Sequence, residues 1–374
     1  MNTQALITGN ADAPRTLIAV FLRGGADGLS LVAPLEDDAY FKARPRLGIA
    51  KRDAVPLDGF FGLHPLLGDL APMWKDGELA IIHGAGSEDD TRSHFEAQDL
   101  MEHGGIVAGG WLGRFLRNRS RVASGALSCV AVGRSLPESL LGAPSATVME
   151  SVDTFLEGAP APALSRELQQ LYAGELGNLG GAARDTFDAL RRIEAMRSAN
   201  EQPANGAVYG TDTFSQGLRQ IARLIKADVG LEAASIDLDG WDSHFTQQTL
   251  IEPRLGWLGK GLAALRRDLG ARMATTTVVV MTEFGRRVRE NASFGTDHGR
   301  GSVMFALGGG VAGGKVHADW QGLREEALEG PGDLPVQHNY RNVLAPILAR
   351  HGANADELTR TFPEFTLEPL PIYG

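Results

Sequence analysis

Cysteine is nearly absent from this sequence of 374 residues, which contains a single one, Cys129. One cysteine excludes an intrachain disulfide, and it excludes a zinc site of the kind built from several thiolates. Cys129 lies in the apolar run 127–132, so we predict that it is a small core residue. A metal site in this chain would therefore be built from histidines and oxygen ligands.

Long apolar runs and an excess of basic residues are also missing. No apolar run is long enough to span a bilayer, and residues 1–14 lack the basic start, apolar stretch and arginine pair of export signals. The net charge of −10 and the pI near 5.4 argue against a nucleic-acid binder, which needs a basic face. We therefore expect a cytoplasmic protein with no membrane span and no nucleic-acid partner. An anionic substrate stays compatible with this charge, because a bound cation can reverse the local sign.

Several well-known catalytic motifs are absent or incomplete. The G-x-S-x-G elbow of serine hydrolases and the H-E-x-x-H helix of zinc peptidases do not occur. Residues 308–313 match G-x-G-x-x-G and residues 309–315 match most of a P-loop, but both motifs require a helix next. The following residues, 315–320, read as a strand or irregular segment, and Val316 occupies the hydroxyl position. We interpret this segment as a glycine-rich turn and not as a nucleotide site.

Apolar runs rich in β-branched residues alternate with helical patterns along the chain. This alternation predicts an α/β fold, a mostly parallel central sheet with helices on both faces. The 43% hydrophobic content supports a sizeable core, and we predict one domain, residues 1–374, with a cap or insertion in residues 135–210. The predicted strands are residues 16–22, 79–83, 127–132, 233–238, 275–281 and 303–307, and the predicted helices are residues 65–75, 91–102, 164–172, 183–197, 213–227 and 254–269.

The residues that follow the predicted strands are the candidates for a site, because ligands collect at the carboxyl ends of parallel strands. Asp27 follows the first strand among glycines, where the alternative is an ordinary turn aspartate. After the second strand, Ser93 and Glu96 have the spacing of a capping box. Ser93 at a helix N-terminus could attack an anion held by the free N–H groups there, and the alternative is a plain N-cap serine.

Carboxylates and histidines follow three further predicted strands or turns. Asp242 and His244 are two residues apart, so they share a side in an extended segment, and the alternative is a solvated loop. Glu283 follows the strand 275–281, and the alternative is an ion pair with Arg286 or Arg287 one turn on. His298 lies in a glycine-flanked loop and needs a partner or a ligand. Taken together, we predict that Asp27, Asp242, His244, Glu283 and His298 bind a divalent metal ion at one edge of the sheet.

Five segments of the sequence together resemble a known family. Residues 21–28, 92–99, 240–244, 282–286 and 297–299 are similar to family fifteen-hundred-and-one of the domains of unknown function, which resembles the alkaline phosphatase–sulfatase superfamily. The resemblance implies an alkaline phosphatase-like fold. It also implies a first metal ligand, a hydroxyl nucleophile, a second ligand pair and a final histidine ligand. Carried over, these are Asp27, Ser93 or Thr91, Asp242 (or Asp239) with His244, and His298, while Glu283 falls where a later Asp-His pair of the superfamily begins. Many relatives carry a twin-arginine leader, which implies a periplasmic location.

One position departs from the superfamily pattern. Phe284 stands where the superfamily has its second histidine, and His94 or Asp297 are the candidate replacements. The function that the resemblance implies is metal-dependent hydrolysis of a small anionic phosphate or sulfate ester, with Zn, Mg, Mn or Ca as the metal. Alternatives are a mutase or transferase, and a catalytically depleted protein that binds an anionic sugar or a protein partner. The expected catalytic residues are Ser93, Arg92 and His94, with Arg286 or Arg92 holding the anion.

Overall fold

Strands and helices alternate along the chain. The computed structural model describes residues 15–119, 125–157, 162–175, 177–198 and 202–373. Short 3₁₀ turns lie at Pro65–Leu70, Glu138–Leu140, Gly270–Thr275 and Glu325–Ala327. The strands are β1 Thr16–Arg23, β2 Val32–Pro34, β3 Val55–Pro56, β4 Phe61–Leu63, β5 Leu79–Gly86, β6 Cys129–Val132, β7 Thr147–Met149, β8 Ala233–Asp239, β9 Thr276–Met281, β10 Ser302–Gly308, β11 Lys315–His317 and β12 His338–Asn339. The helices are α1 Gly28–Leu31, α2 Asp38–Ala43, α3 Ala71–Lys75, α4 His94–His103, α5 Trp111–Asn118, α6 Val152–Glu157, α7 Pro162–Ala173, α8 Asn178–Ser198, α9 Thr213–Lys226, α10 Gln247–Leu269, α11 Tyr340–Arg350 and α12 Ala355–Thr361.

The central sheet is mixed but mostly parallel, which confirms the predicted fold class. Within the described residues its order is β11–β5–β10–β9–β1–β8–β6–β7, and β12 also pairs with β5. Every neighbouring pair is parallel except the two pairs that β10 makes, with β5 and with β9. Because β10 runs against its neighbours, the segment before it lies at the same edge as the carboxyl ends of the parallel strands.

Hydrophobic layers cover both faces of this sheet. Alternate residues of β1 face opposite layers, as the period of two in a strand requires. Val20 belongs to the layer that contains Leu218 of α9 and Leu262 of α10. Ala19 belongs to the other layer, with α5, α11 and α12, where Val343 is fully buried. Strands that are buried on both faces are typical of parallel sheets, and they fix the sheet as a rigid platform for its edge.

The predicted elements mostly agree with the structure within a few residues at each end. The predicted helix 65–75 is instead a 3₁₀ turn followed by the short helix α3. The glycine-rich segment 308–314 leads into strand β11 and not into a helix, which confirms that it is a turn. No helix in the described residues is long and apolar enough to cross a membrane. Residues 135–210 carry helices α6 to α8, and their role as a cap stays a prediction.

The end of β1 lies against the loop that follows β8. Gly24 has a φ of +114°, and a Cβ atom at this position would lie 2.5 Å from the backbone nitrogen of Asp242. The Gly24 N–H also donates a hydrogen bond to Glu283 Oε1 at 2.8 Å. Only glycine combines this backbone conformation with so close an approach, so Gly24 brings three segments of the sheet edge together.

Candidate metal centre

Three histidines and one aspartate converge at this edge of the sheet. His94 is the first residue of α4, Asp242 and His244 follow β8, and His298 precedes β10. In chain order, the three histidine Nε2 atoms lie 3.5, 3.2 and 3.6 Å from Asp242 Oδ1. Neighbouring ligand atoms of a tetrahedral zinc site are about 3.3 Å apart, since each bond is about 2.0–2.1 Å long. The spacing around Asp242 therefore suits a small divalent cation, and the ligand atoms of His94, Asp242 and His298 all lie within 4.8 Å of one another.

The loop after β8 presents its two candidate ligands on one side. Asp242 and His244 are half exposed, whereas Trp241, which precedes them, and Ser243, which lies between them, are fully buried. This alternation places the Asp242 carboxylate 3.2 Å from His244 Nε2, as the extended-segment prediction requires. Asp242, and not Asp239, carries the carboxylate that faces the imidazoles. The exposure of Asp242 leaves the centre open to solvent, as catalytic metal sites are.

Each imidazole is held by an acceptor on its Nδ1 side. A histidine that binds a metal usually donates its second N–H to a carboxylate or carbonyl, because this contact fixes the ring orientation and the tautomer. The structure provides one such acceptor for every ring. They are Glu283 Oε1, 2.9 Å from His94; Asp297 Oδ1, 3.1 Å from His244; and the carbonyl oxygen of Arg92, 2.7 Å from His298.

The two carboxylates among these acceptors are ionised at neutral pH. Burial raises the pKa of Glu283, but hydrogen bonds from His94 and Gln98 outweigh it and hold the pKa below its ordinary value. The hydrogen bond from His244 is the main cause that lowers the pKa of Asp297. An ionised carboxylate only accepts hydrogen bonds, so the histidine Nδ1 atoms opposite these groups carry the protons.

The Nε2 atoms therefore carry lone pairs in the neutral rings. Those of His244 and His298 face each other at 2.8 Å, and the His94 Nε2 atom is buried with no hydrogen-bond partner among the described residues. Two lone pairs at this distance repel each other unless a proton or a metal cation lies between them. Burial lowers the pKa of His298, and the nearby Arg286 and imidazoles add to this effect, so a resident proton is disfavoured at neutral pH. The donor set thus fits a cation.

Asp242 completes the donor set as an anion. Burial raises its pKa, but the hydrogen bond and the charge of Arg286, together with the imidazoles, hold the pKa below its ordinary value. Arg286 Nη2 donates to Asp242 Oδ1 at 2.8 Å. Asp242 Oδ1, the oxygen that faces the three histidines, therefore also accepts a hydrogen bond from Arg286, and this bond orients the carboxylate.

Arg286 is predicted to hold the substrate anion, but the structure places its guanidinium inside the protein. Its side chain is fully buried, and its guanidinium donates to Asp242 and to several backbone carbonyl oxygens. These carbonyls belong to Gly24, Gly25, Trp241 and Thr296. A guanidinium that is buried and saturated in this way positions the loops of the centre and offers no free donor to a substrate.

Glu283 lies behind His94 and not among the converging donor atoms. It is buried, and its Oε1 also accepts hydrogen bonds from Gln98 Nε2 at 2.9 Å and from Gly24. Its place corrects the prediction that it binds the metal directly. In the described part of the chain it makes no ion pair with Arg286 or Arg287 either, so the alternative interpretation is also wrong. Its contacts are those of a group that orients a ligand.

Asp27 is a second predicted ligand that the structure does not bring among the converging donors. It is fully buried, and its two carboxylate oxygens lie 2.5 and 2.9 Å from the guanidinium nitrogens of Arg44. Ser30 and Gln247 donate further hydrogen bonds to the same carboxylate. Burial raises the pKa of Asp27, but the charge of Arg44 outweighs it and the pKa is lowered. A guanidinium thus neutralises the carboxylate that the resemblance assigns to a metal.

Ser93 and Arg92 lie immediately before the ligand His94. Ser93 is exposed, and its Oγ accepts a hydrogen bond from the Glu96 N–H at 3.4 Å, as an N-cap does. The arrangement agrees with the plain capping interpretation, and a nucleophilic role stays a prediction. Arg92 donates to the carbonyl oxygen of His298 and to Asp333, both at 2.5 Å. Arg92 therefore ties the His298 loop to α4, and its role in holding an anion stays a prediction.

Phe284 packs against two of the imidazoles, those of His94 and His298. Its ring centroid lies 4.8 Å from that of His94 and 4.9 Å from that of His298. Of the two candidate replacements, His94 joins the converging donors, and Asp297 supports His244 from behind. Arg44, Gln98 and Asn291 also contact the site residues, but no spacing in the sequence indicates them because these contacts are tertiary.

The fold and the site together define an α/β protein with a candidate metal centre at the edge of its sheet. The chain belongs to the family described as "Protein of unknown function (DUF1501)", whose model matches residues 87–365. This match confirms the predicted family. No curated protein matches the sequence.

Solved structures similar to this chain include a zinc-bound periplasmic domain, a sulfatase and an alkaline phosphatase. The C-terminal periplasmic domain of EcEptC from Escherichia coli, in complex with Zn, is 9% identical over 96% of this chain and 90% of that chain, with a TM-score of 0.44. The PsFucS1 sulfatase from Pseudoalteromonas sp. is 7% identical over 81% of this chain and 64% of that chain, with a TM-score of 0.37. The alkaline phosphatase from the Antarctic bacterium TAB5 is 11% identical over 80% and 93%, with a TM-score of 0.29. These likenesses carry no inference about what this chain binds.

Proposed function

We propose that this protein is a metal-dependent hydrolase of phosphate or sulfate esters. The proposed metal ligands are His94, Asp242, His244 and His298, and Asp27 and Glu283 are not among them. The observation that carries the proposal is the approach of three lone-pair Nε2 atoms to one Asp242 oxygen, at 3.2 to 3.6 Å. Histidine nitrogens with one carboxylate are the donors that zinc and similar divalent metals take in catalytic sites.

The chain's own residues prepare this centre for an anionic substrate. A bound divalent cation supplies Lewis-acid polarisation of the ester and lowers the pKa of a nearby hydroxyl or water. Glu283 and Asp297 hold the protons of His94 and His244 on Nδ1, so the Nε2 lone pairs stay directed at the centre. The half-exposed Asp242 leaves one side open for the ester.

The start of α4 supports the recognition of an anion. His94 is the first residue of this helix, so the first-turn N–H groups that no helix carbonyl can reach lie beside the centre. Helix N-termini bind anions through these N–H groups and the helix dipole. In the proposal these groups replace Arg286, which is buried and engaged elsewhere, and Arg92 is a further anion-binding candidate because its side chain is partly exposed.

Ser93 is the proposed nucleophile, with a water molecule as the alternative. Ser93 is exposed and directly precedes the ligand His94. Its Oγ accepts one hydrogen bond, from Glu96, so its own proton is available for transfer. The variant Ser93→Ala separates the two routes. A serine route predicts a loss of kcat of about a thousandfold or more, whereas a water route predicts a loss below tenfold, since only the cap is removed.

The proposed function is tested by turnover of aryl phosphate and aryl sulfate with metal-free protein and added Zn, Mn, Mg or Ca. We expect turnover with at least one metal, and none after removal of the metal with a chelator. The variant His298→Ala should keep the fold and lose turnover. No turnover of either ester under any metal condition would refute the hydrolase proposal.

A second candidate function, binding without catalysis, is favoured by one pair of contacts. Arg44 occupies the place of a cation at Asp27, and Phe284 fills the position of a second histidine, so the centre holds no more than one metal. A protein of this kind would bind one metal and an anionic sugar without turnover. This candidate would be favoured if the metal-loaded protein bound a phosphorylated or sulfated sugar tightly and the amount of that sugar did not change during long incubation.

A further inference from the structure

Among the described residues, exposed phenylalanines directly follow two residues of the candidate metal centre. In the described residues, the large exposed apolar side chains include three phenylalanines, Phe95, Phe245 and Phe294, which are 84%, 60% and 49% exposed. The other exposed side chains of this class are aliphatic. Phe95 directly follows the proposed ligand His94, and Phe245 directly follows the proposed ligand His244. Two of the three rings are therefore one residue away from the metal ligands.

The third ring, Phe294, belongs to the same part of the surface. The Thr246 N–H donates to the carbonyl oxygen of Ser293 at 3.0 Å, and the Gln247 N–H donates to that of Phe294 at 2.8 Å. These bonds join the segment of Phe294 to the segment of Phe245. Phe294 has a φ of 62°, a conformation that bulky side chains rarely adopt. Its ring is thus kept at the surface in a strained backbone, and packing in the core does not explain it.

The size of this aromatic rim, Phe95, Phe245 and Phe294, suits a small molecule. From their exposed fractions, the three rings offer roughly 300 to 480 Å² of apolar area. A stable protein interface needs about 800 Å² from each partner. Charged groups also interrupt the rim, with Asp242 and Asp297 both about half exposed and the Arg46 guanidinium 4.4 Å from the Phe294 ring centroid. A polar molecule with one apolar face fits such a surface better than a protein does.

We infer that the aromatic rim binds the alcohol part of the ester, and that this alcohol carries a ring with an apolar face. This inference rests on the proposed hydrolase function. In this inference, a ring that stacks on Phe95 or Phe245 presents its ester group to the nearby metal centre. Aromatic faces stack well on other ring faces, and they gain little from a short acyclic alcohol. The rim therefore selects the leaving group, and the metal centre acts on the phosphate or sulfate.

The inference is tested by the ratio of kcat/KM for ring and acyclic esters. Phenyl phosphate and glucose 1-phosphate are each compared with ethyl phosphate, so that aryl and sugar rings are separate arms. The intrinsic reactivity of each ester cancels when the ratio for Phe95→Ala or Phe245→Ala is divided by the wild-type ratio. We expect a fall of about three- to tenfold in at least one arm. The control Val208→Ala removes a 79% exposed side chain elsewhere and should leave both ratios unchanged.

The possible outcomes separate this inference from the proposed function. If the wild type hydrolyses the esters but neither variant changes either ratio, the rim does not bind the ring and the hydrolase proposal stands. A fall in the phenyl arm alone, or in the sugar arm alone, identifies the kind of ring. If the metal-loaded wild type hydrolyses no ester, the proposed function fails, and the inference about its substrate fails with it.

Discussion

The Nε2 atoms of His244 and His298 face each other at 2.8 Å, although the partners of both rings place their protons on Nδ1. Neutral imidazoles do not approach in this way without a cation or a shared proton between them. The two histidines are 54 residues apart in the chain, so the pair is a product of the fold.

We predict that the protein binds one divalent metal per chain and that His298→Ala weakens this binding about a hundredfold or more, since one of four donors is removed. Metal content after dialysis and titration calorimetry measure both quantities. The control His103→Gln lies on the same helix α4, where its imidazole pairs with Glu138, and it should bind metal normally. Equal metal affinity in the two variants would contradict the proposed ligand set.

Metal affinity should fall as the pH is lowered. The imidazoles bind a metal only when neutral, and an unperturbed histidine has a pKa of about 6.5. Burial lowers the pKa of His298, so this ligand is protonated only at a lower pH than an exposed histidine. Affinity should therefore be nearly constant above about pH 7 and fall at lower pH, with the contribution of His298 lost only below about pH 6.5. Dissociation constants measured over this range test the prediction, and a constant value would argue against histidine ligands.

The variant Glu283→Gln should weaken metal binding about 10- to 100-fold, because it removes the charge that holds the proton of His94 on Nδ1. The glutamine is similar in size, so the buried site should keep its packing. Calorimetric titration with metal measures the effect, and thermal denaturation confirms the fold. Glu150→Gln, which removes an exposed carboxylate paired with Arg134, is the matched control. If Glu283→Gln bound metal as tightly as the wild type, Glu283 would have no orienting role.

Asp27→Asn should destabilise the fold by about 3–5 kcal/mol and leave the metal content unchanged, because it leaves the buried Arg44 without its counter-charge. The pKa of Asp27 is lowered in the folded protein, so its stabilisation is fully present above the unfolded pKa of about 3.9. This stabilisation is lost as the pH falls through the pKa that Asp27 has in the folded protein. The difference in the free energy of unfolding between wild type and variant should become smaller in that pH range. Urea denaturation at several pH values measures this.

A matched control for this effect is Asp153→Asn, which breaks the half-exposed ion pair with Arg223 and should change stability by less than about 1 kcal/mol. The opposite result for Asp27→Asn, a loss of metal with unchanged stability, would restore Asp27 as a metal ligand.

The sequence predicts the edge of the sheet well because strand ends are local features. The apolar runs locate β1, β5, β8, β9 and β10, and polar residues at their ends are then brought together by any parallel sheet. His298 is the exception, since it precedes its strand and does not follow it. It reaches the common edge only because β10 is antiparallel to β9, and the direction of a strand is not visible in its apolar run.

The roles of the candidate residues could not be predicted in the same way. Whether Asp27 faces a metal or a guanidinium depends on Arg44, which comes from α2 and its following turn. Whether Arg286 is free or saturated depends on carbonyl oxygens of the β1 and β8 loops. These partners are set by packing between segments, and no residue spacing within one segment encodes them.

Because Gly24 has no side chain, the metal centre is sensitive to substitution at a position that donates no ligand. A methyl group there would collide with the backbone of Asp242, and the loop that carries Asp242 and His244 would have to retreat. A Gly24→Ala protein would keep every donor atom named above and still separate two of them from the other two. Such a variant would disable the centre through backbone spacing alone.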